Sequence, residues 1–234
     1  DARAKISVLA RLALGARIPQ EDIPCQGITR LTTDDFYYAR TLKSTIKLVA
    51  TARVVAAAAA AAGGASASVQ AFVTPCVCPS AGIVANGNGA TNVVQIQSAS
   101  LGTSHLLGAG AGRFPTANSV VADMMALKTG TATAKAFPIA CDESLTFDRD
   151  YTARFYVRLN VCDQTGIIMS AGAICQKHGI SIHAVLQNPI TDPTNVPFVM
   201  TTDACRRSQM RSFCDDAAKE VWCLERPLVM PLMD

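Results

Sequence analysis

Apolar residues Ile6, Leu9, Leu12 and Ala13 recur at helical spacing among Arg3, Lys5 and Arg11, which predicts an amphipathic helix over residues 1–16. Gly15 and Pro19 mark its end. Thr32-Thr33-Asp34 is an N-cap signal, and a second helix is predicted from it through Ala39 to Leu42. Runs rich in β-branched residues predict strands over 46–55, 69–78 and 92–97, with a further short strand over 105–108. Gly82, Gly87 and Gly89 mark tight backbone between them. Residues 116–129 form a predicted helix with Val120, Val121, Met124 and Leu127 on one side.

The pattern changes further on. Residues 129–150, with Pro138 and mixed polar positions, are read as a linker that carries a domain boundary. Beyond it the order is strand (151–161), helix (166–178), strand (180–187), strand (196–202), helix (205–218), strand (221–230). That β-α-β-β-α-β order is the ferredoxin-like arrangement. The expected organisation is therefore a domain over 1–130, a linker over 131–150 and a second domain over 151–234. Residues 56–68 hold a seven-alanine run followed by glycines and serines, and are read as an insertion between two strands.

Composition narrows the class. The chain has 234 residues, 50% hydrophobic and 17% charged, which marks a globular protein. A net charge of +3 with scattered Lys and Arg gives no nucleic-acid footprint. The longest apolar stretch, 54–62, falls short of the roughly 20 residues of a membrane span. Nine cysteines at irregular spacing, with Cys76 and Cys78 lacking a second pair, fit reduced packing thiols and a cytoplasmic protein. His105, His178 and His183 lack metal-ligand spacing, so no metal site is expected. Asp1 opens the chain inside a predicted helix without Met, which is read as a fragment or a processed product.

Several stretches, taken in order, resemble one family. Asp1-Ala2-Arg3-Ala4-Lys5 has the form D-x-x-x-K on a helix. Gly27-Ile28 leads through Asp35 and Ala39 into Ile46-Lys47-Leu48. Residues 84–94 are similar to a V-x-G-x-x-N-A-V region, with Ala85, Gly89, Asn92 and Val94 agreeing. Gly108-Ala109-Gly110-Ala111-Gly112-Arg113-Phe114-Pro115-Thr116-Ala117, with Asp123 behind it, matches G-x-G-A-G-x-x-P-T-A…D. Within 156–187, Asp163-Gln164-Thr165-Gly166 and His178-Gly179-Ile180-Ser181-Ile182 look like an ACT domain. Together they resemble the homoserine dehydrogenases, some of which carry an ACT domain at the C-terminus.

The resemblance implies an α/β (α+β) fold: a mixed-sheet catalytic and dimerisation domain followed by a ferredoxin-like ACT domain. It implies NAD(P)-dependent interconversion of L-homoserine and L-aspartate 4-semialdehyde, in threonine and methionine biosynthesis, by a homodimer or tetramer. Lys5 would be the general acid/base, Asp1 its substrate-binding partner, and Gly112 a contact for NAD or NADP. Asp163 and Gly166 would hold an effector such as threonine. Departures accompany the matches. No Rossmann glycine-rich unit is present, Gln26 stands where an acidic residue is common, and the alanine-rich insertion is unusual. The family's monovalent-cation ligands would lie upstream of Asp1.

Each motif also has a plainer reading. Asp1 and Lys5, at i and i+4, could be a surface ion pair contributing a few tenths of a kcal/mol. Residues 108–117 could be a glycine-rich turn before a helix, and 163–166 a capped strand-to-helix turn that binds nothing. Cys76 and Cys78 then pack on a strand, and His178 suits a helix C-terminus. A second function class stays open: a non-catalytic, amino-acid-binding regulatory or assembly subunit acting through the ACT domain.

Overall fold

The structure, a computed structural model, describes residues 1–56, 67–132, 137, 139–190 and 192–233. Most of the alanine-rich insertion, and Pro138 of the expected linker, lie outside the described residues.

One mixed sheet organises the chain. Its order is β1-β2-β10-β6-β8-β7: β1 (Ser44–Val55), β2 (Ser68–Pro79), β6 (Thr152–Val161), β7 (Ile182–Gln187), β8 (Val196–Thr202) and β10 (Leu228–Leu232). β1 pairs antiparallel with β2 along its whole length, Ser44 opposite Pro79 and Val55 opposite Ser68. β10 lies parallel to β2 through Leu232 and Val77, and antiparallel to β6. β8 then pairs with β6 and β7, both antiparallel. With helices α4 (Ile167–Lys177) and α5 (Arg207–Ala217), strands β6, β7, β8 and β10 form a β-α-β-β-α-β unit in the order β10-β6-β8-β7.

Strand alternation sorts the helices to the two faces. In β6, Phe155, Val157, Leu159 and Val161 meet α4 and α5 through Ile174, Met210 and Phe213, all buried together with Phe72 and Cys76 of β2. The opposite face carries Val69, Ala71 and Val73 against Ile6 and Ala10 of α1 (Ala2–Leu14). It also carries Val77, Tyr156 and Met230 against Tyr38 and Ala39 of α2 (Thr33–Thr41). Helices from both ends of the chain thus sandwich a shared sheet.

Several expectations are corrected. α1 buries Ile6 and Ala10 and leaves Val8 and Leu9 exposed, so its inner face is rotated from the one read at Leu9. The i, i+4 pair with a small residue at position 10 lets the helix approach β2 closely. The short strand expected at 105–108 is the longer β4 (Gly102–Ala109), paired in full with β3 (Thr91–Ser98). Within the segment read as a linker, β5 (Thr146–Asp148) pairs parallel with the start of β2. Cys205–Arg206 forms a short strand, β9, on β6 before α5 begins. The last strand starts at Leu228 rather than at residue 221: Val221 is 92% exposed, while Trp222 is buried and Cys223 bridges to Val161. α3 (Arg113–Thr129) forms where a helix was expected, yet none of its residues is buried.

Candidate active site

α1 begins at Asp1, its N-cap residue, whose side chain makes no capping hydrogen bond. That carboxylate instead accepts a hydrogen bond from Lys5: Nζ lies 2.7 Å from Oδ2, one helical turn away. Both side chains face solvent, Lys5 64% and Asp1 83% exposed. The helix beneath is fixed by Ile6 and Ala10 on β2, and by Ser7, whose hydroxyl donates to the Ile18 carbonyl at 2.6 Å. Gly15 closes it at φ 68°, its N–H on the Ala10 carbonyl, where a Cβ would stand 3.0 Å from the Ala140 oxygen. The pair is therefore carried on a fixed helix, its charged ends bonded to each other and exposed to solvent.

The glycine-rich loop lies between β4 and α3. Gly110 donates its N–H to the Ala90 carbonyl at 2.8 Å, and a Cβ there would fall 1.9 Å from the Asn92 amide nitrogen. Any larger residue at 110 has to move the Asn92 side chain aside. At 112 the requirement is conformational: φ is 121°, and a Cβ added there would meet nothing nearer than Pro115 Cδ at 3.5 Å. Gly112 is the N-cap residue of α3, so its backbone is open and first-turn N–H groups stand beside it. Lys47 donates to the Gly87 carbonyl and the Asn88 side chain, both at 2.8 Å, and ties β1 to the turn that leads into β3. Among the described residues no hydrogen bond or ion pair joins Asp1 or Lys5 to the 108–115 loop. The structure gives each half of the site its own support without closing one upon the other.

Asp163 and Gly166 occupy the β6–α4 turn. Asp163 donates its N–H to the Pro193 carbonyl at 2.7 Å, and Gly166 caps α4 with φ 91°, its carbonyl accepting from Ser170 N–H at 2.9 Å. Both are exposed. His178 at the end of α4 is 2.9 Å from Asp216, which also accepts from Lys177 and Lys219. The Lys177, Lys219 and His178 hydrogen bonds, in that order, hold the Asp216 carboxyl far below the ordinary carboxylate range. Cys76 and Cys78 pack on β2 and are buried, and burial raises both thiols, Cys78 to about 11. Among the described residues no group of three or more His, Cys, Asp or Glu could hold a metal ion. No described helix is long and apolar enough to cross a membrane.

A buried polar centre went unread as such in the sequence. Asp35, fully buried on α2, accepts from Tyr156 Oη at 2.9 Å and from Thr32 N–H at 2.9 Å, the latter completing a capping box. Arg158, 3% exposed, brings Nε within 3.0 Å of Asp35 Oδ1. The N–H is not directed along that line, so the contact is an ion pair rather than an aligned hydrogen bond. Burial, then the Asp35 charge, then its hydrogen bond all raise the Tyr156 phenol, which stays protonated as a donor. The available signals were the T-T-D-D cap and the strict alternation of β6, which puts Tyr156, Arg158 and Asn160 on one face.

The comparisons agree with one another. The homoserine dehydrogenase family profile matches residues 1–125. The homoserine dehydrogenase of Synechocystis sp. is 30% identical over 243 residues, covering 100% of this chain and 54% of the relative. That of Neisseria gonorrhoeae is 27% identical over 244 residues, covering 100% and 53%. The crystal structure of a homoserine dehydrogenase from Thiobacillus denitrificans superposes with a TM-score of 0.81 at 24% identity, covering 100% of this chain and 52% of that one, a likeness of fold. The chain spans about half the length of the curated relatives it matches. Over half of its own residues lie within the family profile, and the fold agrees throughout its length: the chain belongs to the homoserine dehydrogenase family.

Proposed function

We propose that this chain is the substrate-binding and regulatory part of an NAD(P)-dependent homoserine dehydrogenase, which interconverts L-homoserine and L-aspartate 4-semialdehyde. The carrying observation is the Asp1–Lys5 pair, 2.7 Å apart on a fixed helix inside the family-matched region. Lys5, as the neutral amine, accepts the substrate hydroxyl proton while the carbinol C–H bond breaks, and returns the proton in the reverse direction. Asp1 holds the substrate and orients Lys5. The backbone at Gly112 is open and the first turn of α3 stands beside it, which fits one edge of NAD or NADP; the cofactor, when bound, takes up or supplies the hydride.

The β-α-β-β-α-β unit supports an ACT-type regulatory module over 151–234, attached through 131–150 to a catalytic region over 1–130. Its effector, an amino acid such as threonine, is assigned to the Asp163–Gly166 turn. The protein acts in the cytoplasm, in threonine and methionine biosynthesis, as a homodimer or larger oligomer.

The deciding experiment is homoserine oxidation by the full-length protein and by Lys5→Ala. Loss of about 10²–10⁴-fold in kcat with unchanged folding supports the role of Lys5. Full activity in the variant removes it from the mechanism. Inactivity of both favours a non-catalytic regulatory or assembly subunit.

A further inference from the structure

The glycine-rich loop sits on an arm that stands apart from the main sheet. β3 and β4 form a two-stranded sheet of their own, and α3, which follows the loop, has no buried residue. A loop that is to meet a cofactor at one place needs a tie at the base of that arm. The base is the turn over 87–91, where the chain enters β3 and where β4 ends, Thr91 opposite Ala109.

Lys47 makes that tie. It lies on β1 opposite Cys76 and is partly buried. Its Nζ donates to the Gly87 carbonyl and to Asn88 Oδ1, both at 2.8 Å. Among the described residues no carboxylate pairs with it, so its charge is directed at these two neutral acceptors, and charge-assisted bonds of this kind are stronger than neutral ones. Among the described residues Lys47 is also the one side chain of the main sheet that hydrogen-bonds to the arm.

The turn in turn holds the loop. Thr91 donates its N–H to the Asn88 carbonyl at 3.1 Å, and Gly110 donates its N–H to the Ala90 carbonyl at 2.8 Å. Val93 of β3 covers Gly87 so closely that a Cβ there would stand 2.9 Å from its Cγ2. A shift of residues 87–91 is therefore passed to Gly110, two residues before Gly112. On the other side, β1 pairs along its whole length with β2, against which α1 packs with its Asp1–Lys5 pair. We propose that Lys47 is a positioning residue for the dehydrogenase: it fixes the Gly112 loop relative to the sheet that carries the catalytic helix, and so sets how tightly the loop receives NAD or NADP. Lys47 touches neither substrate nor cofactor. The inference rests on the cofactor reading of Gly112.

Hydrogen–deuterium exchange and direct titration with NADPH and NADH, on the full-length protein and on Lys47→Met and Lys47→Arg, test it. Methionine keeps the length of the stem and removes the donors. In Lys47→Met, exchange is expected to rise about tenfold in peptides over 88–92 and 108–115 and to stay unchanged in α4 and α5. Cofactor affinity and cofactor KM worsen about tenfold, while the homoserine KM stays within about twofold. Lys47→Arg restores both, and Asn88→Ala, which removes one acceptor at an exposed position, gives a smaller change in the same direction. Unchanged exchange over 108–115 overturns the proposal. So does a rise spread over the whole chain, which marks a loss of stability, or a homoserine KM that rises in step with that of the cofactor. A loosened loop with unchanged cofactor affinity overturns it as well. If the unaltered protein neither binds cofactor nor oxidises homoserine, the dehydrogenase reading falls, and the exchange comparison still decides whether Lys47 holds the loop.

Discussion

At the scale of single residues, Asp35 carries the largest share of buried charge pairing. It is the buried counter-charge of Arg158 and the acceptor for Tyr156 and Thr32, so its removal strands a guanidinium inside the protein. Asp35→Ala is expected to lower unfolding stability by about 3–5 kcal/mol, and Tyr156→Phe by about 1–3 kcal/mol because two other partners of Asp35 remain. Urea denaturation reads both, and equal losses in the two variants would disprove the ranking. Thiols give a second residue-scale expectation. Burial pushes Cys78 and Cys175 up to about 11 and Cys214 to about 12, so under mildly alkaline conditions they are protonated as well as covered. Exposed Cys25 and Cys162 are then the first to react with a thiol reagent, as peptide mapping after brief labelling would show.

At the scale of elements, the Asp216 cluster ties the end of α4 to α5. Its carboxyl is depressed in the folded state, so its contribution is present above the ordinary carboxylate value and fades as pH falls through the lower folded value. The Tm gap between the protein and Asp216→Asn should be full at about pH 6 and close as pH drops below about 4. A gap that widened on acidification would reverse the sign and reject the account. The β3–β4 hairpin presents a different case. Gly110 is held against Asn92 so closely that Gly110→Ala must displace either the loop or that side chain. Gly112→Ala meets no such wall, but forces a residue with a Cβ into a positive-φ, extended backbone that is essentially reserved for glycine, costing about 1–3 kcal/mol locally.

At the scale of the whole molecule, β10 decides how the chain behaves. It is the last strand in sequence yet lies between β2 and β6, so the first and second halves share a sheet and are covered on one face by α1 and α2, on the other by α4 and α5. The halves are expected to unfold together. Trp222, the single tryptophan, reports on the second half, and exposure of Cys76 to labelling reports on the first. Coincident denaturation midpoints support one cooperative unit. A Cys76 transition well ahead of the Trp222 transition would mean that β10 does not couple them.

Much of this was written locally. Helical spacing, the Thr32–Asp35 cap and the β-branched runs of β1, β2 and β6 each act through neighbours in sequence, so periodicity and capping chemistry placed them within a few residues. The i, i+4 spacing likewise put Asp1 beside Lys5, since one turn of helix brings those positions together whatever surrounds it. What local pattern could not reach depends on partners distant in the chain. The inner face of α1 is chosen by β2, and the start of β10 by pairing with β6 far earlier in the chain, as Leu228 opposite Arg158 shows. Asp35 meets Tyr156 across 121 positions, and Arg158 donates to the Arg30 carbonyl across 128. A sequence read in windows carries the propensity of each segment; only the folded sheet determines which distant charges must share a dry interior, and so which of them have to be paired.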